Sequence, residues 1–106
     1  MAIARTDVVY SGTLATGGAT ILTVAASTTF VMMGFVISNA NASAKKAELL
    51  IDDKRIVPYV KSIPSGDALI QTGLNIPVLT TKTLKVKGEV NTDMDYYIWG
   101  VNEVTS

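Results

Sequence analysis

Two pairs of carboxylates, Asp52 with Asp53 and Asp93 with Asp95, are the residues of this sequence best spaced to do chemistry. Paired carboxylates can bind calcium or divide the work of acid and base. Asp and Asn are also the ordinary residues of tight turns, because their side chains cap nearby backbone groups, and both pairs are read here as turns. The chain has no histidine and no cysteine, so the commonest general base, the commonest metal ligand and the thiolate nucleophile are all missing. Serine and threonine hydroxyls would need a lysine or a carboxylate as their base, and no spacing supplies one. Gly17-Gly18 is too short for a phosphate loop, has no lysine after it, and reads as a turn. These residues predict a protein that is not an enzyme, with no catalytic residues, no cofactor and no metal site.

The aromatic residues near the C-terminus offer binding instead. Tyr96, Tyr97 and Trp99 fall on one strand, Asp95 to Val104, and alternate strand residues point to opposite faces. Tyr97, Trp99 and Val101 therefore share one face, while Tyr96, Ile98, Gly100, Asn102 and Val104 share the other. At least one aromatic ring is expected at a surface or interface, where such residues are enriched; filling the core is the alternative for Trp99. A second stretch, Thr28 to Ser38, is apolar on both faces: Val31, Met33, Phe35 and Ile37 point one way, Phe30, Met32 and Val36 the other. The first row is expected in the core. The second would form an apolar patch that a second chain covers, the alternative being a central strand covered on both sides by its own chain. Phe30, Met32, Val36, Tyr97 and Trp99 are thus the candidate protein-interface residues.

The elements that would position them are strands. In Thr83 to Val90, Leu84, Val86, Gly88 and Val90 alternate with Thr83, Lys85, Lys87 and Glu89; in Lys46 to Asp52, Ala47, Leu49 and Ile51 share one face. Asp53-Lys54 turns into a strand from Arg55 to Lys61, where Pro58 implies an edge or a bulge. Asn39 to Ala44 and Thr16 to Ala19 are loops. The pattern predicts a single all-β domain over residues 1–106, with 1–6 as a flexible N-terminal arm. Its fold would be one antiparallel β-sandwich of about seven to nine strands with jelly-roll or Greek-key (immunoglobulin-like) connections.

Nine basic residues balance nine acidic ones, which removes the electrostatic drive for non-specific nucleic-acid binding. Ala19 to Ile37 is apolar, but five serine and threonine residues interrupt it and β-branched residues fill it, so two strands are expected there and no membrane span. The N-terminus lacks the basic start and apolar block of a signal peptide, which predicts synthesis in the cytoplasm.

From Ile21 to Val104 the order of features resembles small β-sandwich virion structural proteins of tailed bacteriophages. The resemblance is carried by Ile21-Leu22-Thr23-Val24-Ala25-Ala26 leading into Thr29 to Ile37, and by the loop Ser38 to Ala44. It continues with Ile63-Pro64-Ser65-Gly66-Asp67, the run Thr81 to Gly88, and the closing strand Tyr97 to Val104. Where related chains often carry a glycine-aspartate turn, this one has Thr80-Thr81-Lys82. The resemblance implies a mechanical role, with many copies binding a repeating protein lattice. Capsid decoration (cement) on the major capsid protein is the favoured form, with a location on the capsid surface and self-association as a trimer. A tail or head-to-tail adaptor component and a carbohydrate-binding module, with Trp99 and Tyr97 as its platform, are the alternatives.

Overall fold

The structure is a computed structural model that describes residues 3–57 and 62–105. Alternation of apolar and polar residues along successive strands leaves each with one dry face, and two sheets that each expose such a face must pack them together. The result is a β-sandwich of two antiparallel sheets. Its strands are β1 (Ile3–Thr13), β2 (Ala19–Thr23), β3 (Thr28–Asn39), β4 (Lys45–Ile51), β5 (Lys54–Val57), β6 (Ser62–Ile63), β7 (Ala68–Gln71), β8 (Ile76–Val78), β9 (Thr83–Gly88) and β10 (Met94–Thr105). The first sheet runs β1-β10-β3-β7, with β8 also paired to β3; the second runs β2-β9-β4-β5, with β6 paired to β4.

The core lies between the sheets. Ala47, Leu49 and Ile51 of β4 and Leu84 and Val86 of β9 are buried, as their alternation predicts. From the first sheet, Phe30, Met32, Phe35, Ile37, Met94 and Ile98 fill the opposite side. Tyr10 of β1 meets Phe30 edge to face, with ring centroids 5.4 Å apart, the arrangement the aromatic quadrupoles favour.

The β3 expectation fails in its first half. Phe30 and Met32, expected on the outer row, are fully buried in the core, while Val31 is half-buried and Met33 exposed on the other side. The cause is a β-bulge: Gly34 pairs with Trp99 and Met32 with the next residue, Gly100, so Met33 has no partner on β10. One inserted residue reverses the side-chain phase, and only beyond it do Phe35 and Ile37 point inward as expected. The break continues on the far edge, where β7 pairs with Phe35 to Ser38 and β8 with Phe30 to Met32. Between them the N–H of Leu74 donates to the carbonyl of Met33 at 2.8 Å. Gly100 completes the bulge: a Cβ there would strike the Val31 carbonyl and lie 2.8 Å from the Phe30 ring.

Residues 3–6, expected to be a free arm, are the start of β1 and pair with Thr105 to Asn102 of β10. The strand expected from Arg55 to Lys61 is described only as β5, an edge strand of the second sheet; Pro58 lies outside the described residues. Asn39, buried at the end of β3, ties the loop that follows it to the end of β6. Its amide donates to the carbonyls of Ile63 at 2.9 Å and Ser43 at 3.0 Å, and its Oδ1 accepts from the N–H of Asn41 at 2.9 Å.

Candidate interaction surface

The first sheet turns its other face to solvent, and that face is apolar along its middle. Cross-strand partners share a face in an antiparallel sheet, so the registers assign its members. Val9 of β1 stands opposite Trp99 of β10, which stands opposite Gly34 of β3. One step along, Tyr97 pairs with Val36, and Val36 with Ile70 of β7; in the other direction Val101 pairs with Val31, and Val31 with Pro77 of β8. Met33, pushed out by the bulge, sits at the centre. Val9, Met33, Tyr97 and Ile70 are 49%, 44%, 49% and 57% exposed, and an apolar row of this kind is the usual mark of a docking site.

Gly34 shapes the patch. A Cβ at this position would collide with the Trp99 indole and come within 2.8 Å of the Gln71 carbonyl. Its absence lets the indole lie flat across β3, half-buried, with the Tyr97 ring 6.1 Å away and tilted by 49°. Polar pairs close both ends: the hydroxyl of Thr13 donates to Asp95 at 2.8 Å at one, and Arg5 meets Glu103 at 2.7 Å at the other.

Of the five residues expected at an interface, the structure brings Val36, Tyr97 and Trp99 together on this face, and Phe30 and Met32 leave it for the core. Val101 shares that face, as its spacing from Tyr97 and Trp99 predicts, and Val9, Val31, Met33 and Ile70 join them, none of which the sequence reading placed there. The signal that could have found them is Gly34 and Gly100, because glycine inside a strand marks a bulge or a close approach.

The acidic residues do not converge. Asp52 and Asp53 form the two-residue turn between β4 and β5, both with positive φ (52° and 58°), the geometry that matches hairpin twist. Asp53 accepts a bond from Lys85 at 2.8 Å, and that bond, followed by the lysine's charge, holds its carboxyl below the usual carboxylate range. Asp93, also at positive φ, accepts from the Asn41 amide at 3.3 Å. Among the described residues no group of three acidic side chains is placed to hold a metal ion.

No protein-family model matches the chain. A search of curated proteins finds no match. Among solved structures the chain is similar to one in the cyanophage Pam1 capsid asymmetric unit, with 13% identity over 98% of this chain and 84% of that one and a TM-score of 0.36. A likeness of that size carries no function across. What the fold and surface define is a class: a two-layer antiparallel β-sandwich that presents an aromatic and aliphatic sheet face to solvent.

Proposed function

We propose that the protein is a non-enzymatic structural component of a tailed-bacteriophage virion that docks through the outer face of its first sheet. Its favoured role is capsid decoration, binding the major capsid protein lattice and stabilising the head. The observation that carries the docking reading is the apolar row Val9, Trp99, Met33, Val36, Tyr97 and Ile70, held open by Gly34. The order of sequence features from Ile21 to Val104 carries the virion setting. A flat sugar platform fits less well, because the Tyr97 and Trp99 rings are tilted by 49° to one another. The self-association expected from the sequence loses the physical support of its apolar row, since Phe30 and Met32 are core residues, and the choice of a trimer rests on the resemblance alone.

The test is the copy number of this chain in purified virions, combined with binding of a Met33→Lys variant to undecorated capsids. Decoration predicts a copy number of the order of the major capsid protein's, and at least about tenfold weaker binding by the variant. A small fixed number per particle would place the protein in the tail or connector. Unimpaired binding by Met33→Lys would remove this face from the contact.

A further inference from the structure

We propose that β1 is a self-pairing edge: two copies of this chain join antiparallel through β1, with the two-fold axis at Thr6, so that Arg5 of each faces Asp7 of the other. The proposal is independent of docking through the outer face. β1 is the end strand of the first sheet, paired to β10 over all eleven residues and to nothing on its other side among the described residues. Its outward N–H and C=O groups form a template for another strand.

Two further features set this edge apart. The second sheet stops short of it: Ala4 and Thr6 lie on the core-facing side of β1 and are nevertheless exposed, as is Ile3 at 52%. A sheet end uncovered on both faces gains little from its own core and is stabilised by a strand added at its edge.

The side chains also specify a register. Ile3, Arg5, Asp7 and Val9 stand on the same face. Pairing centred on Thr6 places Arg5 opposite Asp7 twice and the exposed Ile3 opposite the exposed Val9 twice, and it continues the outer face from one copy into the next. Moving the axis one residue either way, a register slip of two residues, centres the pairing on Arg5 or on Asp7 and sets like charges against each other across the axis, which is unfavourable. Among the described residues Asp7 makes no side-chain hydrogen bond or ion pair. Arg5 spends only its Nε on Glu103, one of five guanidinium donors.

The test uses Arg5→Asp, Asp7→Arg and the wild type in sedimentation equilibrium at low salt. Wild type is expected to dimerise at concentrations of about 0.1 mM, the range of small edge interfaces. Each variant alone sets like charges opposite one another twice and should dimerise about tenfold or more weakly. An equimolar mixture of the two restores both opposite-charge pairs, and heterodimers should form as readily as wild-type dimers. That recovery excludes misfolding as the cause of the single-variant losses. A wild-type monomer at that concentration, a trimer, variants that dimerise like the wild type, or a mixture that stays monomeric would each overturn the proposal. Met33→Lys, which tests the outer face, should leave this dimer unchanged.

Discussion

Thr81 holds a left-handed backbone, φ 69°, in the turn that leads into β9, with its N–H donating to the Val24 carbonyl at 2.9 Å. A β-branched residue is poorly suited to that conformation, which costs an L-residue roughly 1–2 kcal/mol. Thr81→Gly should therefore raise unfolding stability by about 0.5–1 kcal/mol, after the extra chain entropy of glycine is subtracted. Urea denaturation reads this directly, and a midpoint that falls would show that the threonine side chain supports the turn. Asp53 supplies a second prediction. The Lys85 bond lowers its proton affinity in the folded state, so that the interaction is complete above the carboxyl's unfolded titration range and is lost as pH falls through the lower folded value. By NMR titration Asp53 should protonate at lower pH than a free aspartate, and Lys85→Gln should move it back up. Because the pair is exposed to solvent, neither change should register in overall stability.

At the scale of elements, β4, β9 and β10 were legible in the sequence because each keeps a period of two with charges or rings on its wet face, Leu50 of β4 being the exception. Leu84→Ala and Val86→Ala should each cost about 2–4 kcal/mol, since both side chains are fully enclosed; an unchanged thermal midpoint would contradict their placement. β3 was legible only in part. The residue inserted at its bulge is methionine among valine, phenylalanine and methionine, and composition gives no sign of which residue is the extra one. The pair Met32 and Met33 turns this into a measurement. Lysine at 32 would bury an ammonium in the core and should cost about 3 kcal/mol or more, whereas lysine at 33 should leave the melting temperature nearly untouched. Equal effects would mean that the bulge lies elsewhere. The start of β1, read as an arm, carries no apolar phase at Ala4 and Thr6, in keeping with their exposure on the core-facing side. Three of the five residues expected at an interface, Val36, Tyr97 and Trp99, lie on the observed surface; its centre and flanks depend on cross-strand pairing, which no local window contains.

For the whole molecule, zero net charge and a mainly apolar proposed docking face set the expected response to salt. Binding to a protein lattice should change little between low and moderately high ionic strength, because no cluster of basic groups has counterions to release. Dissociation by a few tenths molar salt, seen as loss of co-sedimentation with capsids, would shift the contact to the charged rims at Arg5, Glu103 and Asp95. The half-open seat of Trp99 over Gly34 has an optical consequence. It is the single tryptophan of the chain, so tryptophan emission, excited beyond the tyrosine absorption, reports from the middle of the proposed docking face. Covering that indole removes water from one side of the ring and should shift the emission to shorter wavelength on binding, giving a label-free readout of occupancy.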